Sequence, residues 1–178
     1  MKIACWMILL VATLGLGSVA KADDQASTPD TFYGRFQGSG FTHDPNAALF
    51  GLGARDLDVE IGPAEGGGFF VSWTTVMQSP GDKGSKTKSS KVVFVPSGRP
   101  GIYTGRPEGT TAATDGMSWA SIGDRAMTVR LLHILDDGTY EVQTYQRSLT
   151  DDGMFVFFRS DLDGAVMKVV TAQLRKAK

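Results

Sequence analysis

Residues 139–149 read TYEVQTYQRSL and residues 154–160 read MFVFFRS, with Asp151-Asp152-Gly153 between them. Along the first run Gln143, Tyr145 and Arg147 fall on one side of a pleated chain, while Val142, Thr144 and Gln146 fall on the other. Aromatic and β-branched side chains suit both runs to a sheet, and an acid-acid-glycine triplet supplies the backbone freedom of a tight turn. The unit is a β-hairpin. It is repeated on both sides: Met117–Ile122 and Ala126–Leu135 precede it and Ala165–Arg175 follows, separated by Gly123-Asp124, Asp136-Asp137-Gly138 and Asp163-Gly164. Short sequential connections make each strand the antiparallel neighbour of the one before. The C-terminal half is therefore expected to be a five-strand meander.

Toward the N-terminus, Leu57, Val59 and Ile61 alternate strictly with Asp56, Asp58 and Glu60, the pattern of a half-buried strand. Phe69–Met77 and Lys91–Val95 have strand composition, and Pro63–Gly68 has that of a turn. Ser79–Ser90, rich in Ser and Lys without apolar periodicity, reads as an exposed loop. Pro96–Asp115 is irregular and carries a short strand near Ile102-Tyr103. Phe32–Phe41 reads as a bent strand with glycine kinks. A short helical turn is expected after it, capped by Asp44, started by Pro45 and ended by Gly51 or Gly53. About nine strands with almost no helix predict an all-β fold, an antiparallel up-and-down β-barrel. A Greek-key sandwich would need crossovers for which the turns after Met117 leave no chain.

The chain has 178 residues, of which 42% are apolar, with 18 basic and 19 acidic residues and a single cysteine. This is the composition of one globular domain with a substantial core. It excludes a disordered chain, and the charge balance excludes a general nucleic-acid binder. Residues 1–22 read as a secretory signal: Lys2 gives the positive start, Ile3–Gly17 the apolar stretch and Ala20-Lys21-Ala22 the cleavage site. Cleavage near Ala22 removes Lys2, Lys21 and Cys5, leaving 18 − 2 = 16 basic residues against 19 acidic ones and no thiol. Residues 23–30 are expected to be a flexible tail and residues 31–178 a single barrel. The expected location is the periplasm of a bacterium or the medium outside it, since small eukaryotic secreted domains usually rely on disulfides.

Gly34-Arg35-Phe36 on the first strand is similar to the Gly-x-Trp signature of lipocalins, with Phe36 in place of the Trp, and the meander is similar to calycin barrels in general. The resemblance implies an internal pocket for a small apolar molecule. It also implies a late basic side chain packed over Phe36, for which Arg175 and Arg159 are the candidates.

The remaining residues carry few signs of chemistry. His133 follows Met127, Val129 and Leu131 at strand spacing and is expected in the core or lining the barrel; His43 is expected in a loop. Ser72, Ser118 and Ser121 lie in no nucleophile elbow. Gly38-Ser39-Gly40 lacks the lysine and helix of a phosphate loop. Asp56, Asp58 and Glu60 read as a strand's wet face. No cofactor or metal is expected. Lys83, Lys86, Lys88, Lys91, Arg99 and Arg106 form a basic stretch without an acid among them, which suits contact with an anion or a partner, first of all through Lys83, Lys86, Lys88 and Lys91. If the face bearing Gln143, Tyr145 and Arg147 points inward, the arginine suits an anionic head and Trp73, Trp119 and Phe157 supply apolar walls.

These features predict an exported lipocalin-like protein that binds a small hydrophobic or amphipathic molecule without covalent chemistry. The alternative is a structural or interaction module of the bacterial envelope, with a basic loop and a solid barrel. An enzyme of unknown type ranks third and is not expected, for want of a nucleophile, metal set or cofactor motif. The expected partners are the small ligand or an envelope component; nucleic acid and a membrane-spanning role are not expected.

Overall fold

The structure is a computed structural model, and it describes residues 28–43, 53–78, 85–106 and 116–178. The strands are β1 (Gly34–His43), β2 (Gly53–Ala64), β3 (Gly68–Gln78), β4 (Ser85–Pro96), β5 (Ile102–Arg106), β6 (Gly116–Ile122), β7 (Ala126–Ile134), β8 (Tyr140–Leu149), β9 (Gly153–Leu162) and β10 (Ala165–Lys176). Each pairs antiparallel with its neighbour in sequence, and β1 closes the ring against β10. This all-β, up-and-down closed barrel is the architecture that the lipocalin resemblance implies. It has ten strands where about nine were expected. No helix among the described residues is long and apolar enough to cross a membrane. The signal-like residues 1–22, most of the tail and the helical turn expected from Asp44 lie outside the described residues; Gly53, a proposed end of that turn, begins β2.

Three boundaries differ from the sequence reading. Ser85–Ser90 belongs to β4 and not to a loop: Lys88 lies opposite Thr75 and Ser90 opposite Trp73, and the Thr74 and Ser89 hydroxyls hydrogen-bond at 2.8 Å. The sheet register holds this polar segment in place, although its composition carries no strand signal. His43 closes β1, opposite Val169, and is not a loop residue. Pro29 and Asp30, expected in the tail, begin a single 3-10 turn (Pro29–Phe32) in which Pro29 and Phe32 are buried. Burying these two apolar side chains against the barrel outweighs the local polarity.

Antiparallel pairing keeps one face inside all the way round: Phe36 lies opposite Val59, Val59 opposite Trp73 and Trp73 opposite Ser90. At one end of the barrel, where β2–β3, β4–β5, β6–β7 and β8–β9 turn, the interior is filled. Phe32, Phe36, Phe69, Phe94, Met127, Met154 and Leu174 are buried there. Phe69 stacks on Phe94 with centroids 5.1 Å apart and meets Tyr103 edge-on at 5.0 Å. Each such aromatic ring contributes roughly 1.5–3 kcal/mol through burial.

The Gly34-Arg35-Phe36 start has a physical explanation at this closed end. Gly34 has φ +144°, and a Cβ there would come within 2.8 Å of the Lys176 Cε. With that space free, the Lys176 ammonium lies 5.9 Å from the centre of the Phe36 ring. The basic group over the aromatic residue is thus Lys176, one position beyond Arg175. Arg159 instead donates from Nε to Asp161 at 2.9 Å on the outer surface. Outside the sheet, Arg35 Nε donates to Asp58 at 3.0 Å and Gln37 donates to the same carboxylate at 2.9 Å. The Arg35 hydrogen bonds hold the Asp58 carboxyl below the usual carboxylate range, as befits an outer-face ion pair.

Candidate functional site

At the other end the inward residues no longer meet. A cavity of about 990 Å³ occupies this half of the barrel, between the strands' inner faces and the mouth where β7–β8 and β9–β10 turn. Its deepest functional group lies on β8. From the mouth inward, the inner face of β8 presents Glu141, Gln143, Tyr145 and Arg147. The strand rises about 3.4 Å per residue, so six residues separate the two charged ends by roughly 20 Å.

Arg147 marks the floor. It is 1% exposed, lies opposite Val156 and Met127, and has neither an ion pair nor a hydrogen-bond partner for Nε and Nη1 among the described residues. Its guanidinium is covered by two rings, with Tyr145 at 5.3 Å and Trp73 at 5.7 Å from their centroids. Burial pulls its pKa down to about 10, partly opposed by the Tyr145 phenol, so at neutral pH it is a charged group in a dry place. Contact with aromatic faces returns part of the lost hydration, but a buried cation without a hydrogen-bonding partner is costly.

Above it the wall is aromatic. Tyr145 packs between Trp73 at 5.0 Å and Phe158 at 4.6 Å, and its hydroxyl donates to Gln143 Oε1 at 3.0 Å. Burial pushes the Tyr145 phenol up to about 12, against the pull of the Arg147 charge. Higher still, Ser160 donates to Glu141 Oε1 at 2.6 Å. Lys88, Arg106, Lys168 and His133 also border the cavity, each near the mouth end of its strand. The site thus has an apolar middle, a cation at its base and a charged mouth.

The sequence-derived candidates divide between the two faces of the sheet. Trp73, Gln143, Tyr145 and Arg147 converge on the cavity. Trp119 does not. Its neighbours Ser118 and Ala120 point inward, and Trp119 lies opposite Arg130 and Thr104 on the outer face. Phe157 is also outside, since Phe158, opposite Tyr145, takes the inner position. In Phe155-Val156-Phe157-Phe158 both faces are apolar, so alternation alone does not say which phenylalanine faces in; the register to β8 does.

The basic stretch is not one patch. Lys88 and Lys91 both border the cavity, but Lys91, at odd spacing from Lys88, carries its ammonium away to 5.0 Å from the centre of the Phe70 ring on the outer face. Lys83 and the side chain of Lys86 lie outside the described residues. His133 lines the barrel as expected. Leu131, Glu141, Phe158 and Ser160 were not singled out from the sequence; once Gln143 is known to face inward, the pairings Gln143 with Leu131 and Ser160 identify the partners.

No protein-family model matches the chain, and no curated protein matches it in sequence. Among solved structures the chain is similar to the S-type phycobiliprotein lyase CPES from Guillardia theta, with 10% identity and a TM-score of 0.41 over 84% of this chain and 90% of that one. That protein is titled a lyase. The expectation that the chain is not an enzyme rested on missing motifs, which exclude no activity, and is withdrawn.

Proposed function

We propose that this protein binds a small hydrophobic or amphipathic molecule non-covalently inside the open half of its barrel. The carrying observation is the cavity of about 990 Å³, walled by Leu57, Val59, Trp73, Leu131, Tyr145 and Phe158. It is at the upper end of small-molecule sites, roughly 300–1,000 Å³. Mostly apolar walls with a few placed polar groups are what such sites need for affinity and orientation. A barrel that served only as a solid envelope module would have its inner face filled, as it is at the closed end. Export fits the reading and rests on the signal-like residues 1–22.

The test uses a neutral fluorescent probe, N-phenyl-1-naphthylamine, whose emission rises on leaving water. The expected result is saturable one-to-one binding that is weakened in Leu131→Trp, where the larger ring intrudes on the cavity wall. Absence of saturable binding would refute the proposal.

A further inference from the structure

We infer that the ligand is a monocarboxylate that enters head first, its carboxylate held by Arg147 at the cavity floor and its apolar body rising along Tyr145, Phe158 and Leu131 to the mouth. This deepens the proposed function and rests on it.

A buried arginine with a purely structural role normally spends its N–H groups on carbonyls or carboxylates. Arg147 leaves Nε and Nη1 without a partner among the described residues, so each edge of its planar guanidinium keeps an unused donor. A carboxylate at either edge would accept a charge-assisted hydrogen bond, the strong kind. The carboxylate that borders the cavity on this strand, Glu141, is six residues away and already accepts the Ser160 hydroxyl.

Charge balance selects the class of head. Among the described residues Arg147 is the cation at the floor, whereas Lys88, Arg106 and Lys168 stand near the mouth. One carboxylate neutralises it. A phosphate monoester would bring a second negative charge into an apolar site with no cation to meet it. Orientation follows from the same account. A ligand inserted tail first would seal Arg147 under hydrocarbon and leave its donors unused, while the mouth cations would be the head's only partners, in water, where ion pairs are weak. Those cations instead suit the approach of an anion.

The Trp73 and Tyr145 rings screen the guanidinium from water. A carboxylate reaching it therefore displaces one of them, and Trp73 emission would report the event.

Calorimetric titration of the full chain at neutral pH with decanoate, 1-decanol and decyl phosphate tests the assignment. Decanoate is expected to bind roughly tenfold or more tightly than 1-decanol, and decyl phosphate more weakly than decanoate. Arg147→Met should erase the preference for decanoate over 1-decanol, while Arg147→Lys should retain part of it. The wild-type comparison stands even if a variant fails to fold. Equal binding of acid and alcohol, or an unchanged preference in Arg147→Met, would overturn the head-group assignment while leaving cavity binding in place. Tighter binding of decyl phosphate would overturn the monocarboxylate class. If none of the three binds, the monocarboxylate assignment falls, and the proposed function falls with it where the naphthylamine probe also fails to bind.

Discussion

The two ends of the barrel are built from the same strands and the same alternation, yet among the described residues one is solid and the other hollow. At the closed end the inward positions carry Phe36, Phe69, Phe94, Met127 and Met154, and Phe32 from the 3-10 turn closes the base. Toward the mouth the corresponding positions carry Thr75, Ser90, Ser118, Gln143 and Ser160. A ring of ten strands is wide enough that small or polar inward side chains cannot fill it. Side-chain volume, and not strand geometry, decides where the core stops and the cavity starts. Stability is thus concentrated at one end, leaving the other free to hold a buried charge.

The sharpest break of this comparison is a pair of truncations. Phe69→Ala at the closed end removes a fully buried ring and should cost about 3–5 kcal/mol in urea denaturation. Leu131→Ala, which only enlarges an existing cavity beside a half-buried side chain, should fall at the low end of such losses, about 2 kcal/mol. Similar losses at both positions would mean that the two ends are packed alike.

Next in size is Arg147→Met. Both folded and unfolded states carry the Arg147 charge at neutral pH, but the folded state holds it out of water, with its pKa lowered to about 10. The depression corresponds to a penalty on the order of 3 kcal/mol. It is fully present below pH 10 and is relieved as pH rises further, because the folded state releases the proton before the unfolded one does. In ligand-free protein the variant should therefore be more stable than the wild type at neutral pH, by an amount of that order. A variant less stable than the wild type would show that Arg147 supports the fold.

The smallest expected effect is spectroscopic. Tyr145 should titrate near pH 12 in ultraviolet absorbance, and Tyr145→Phe should remove that transition. The sign for stability is opposite to that of Arg147: with the folded pKa raised, the Tyr145 contribution is complete below about pH 10, the unfolded value, and is lost as pH climbs toward 12. The two trends oppose each other in one alkaline window, and the single variants separate them. Ionisation of all tyrosines near pH 10 would place Tyr145 in water and the mouth of the cavity deeper than its neighbours indicate.

Much of the fold was legible because hairpin chemistry is local. Gly138 and the Asp163-Gly164 pair adopt the positive φ angles expected of tight turns, Gly123 and Gly153 do not, Gly153 instead beginning β9, and the five strands from β6 to β10 follow the predicted spans. The 87–90 stretch was illegible because its inward residues, Lys88 and Ser90, border a cavity and its outward ones, Thr87 and Ser89, are exposed, so neither face calls for apolar side chains. The site was half legible. Gln143, Tyr145 and Arg147 announced a shared face by their spacing, but Trp119 and Phe157 look equally suited to a pocket and point the other way.

By itself the sequence determined the alternation, the turns and hence the meander, since these depend on neighbours a few residues apart. It also placed an arginine on a strand face without deciding which side was the interior. Only the closure of β1 onto β10 decided that, because inside and outside exist only once the ring is complete. Closure turned the β8 arginine into a buried cation beneath Trp73, a residue more than seventy positions away in the chain, which contacts it only across the barrel.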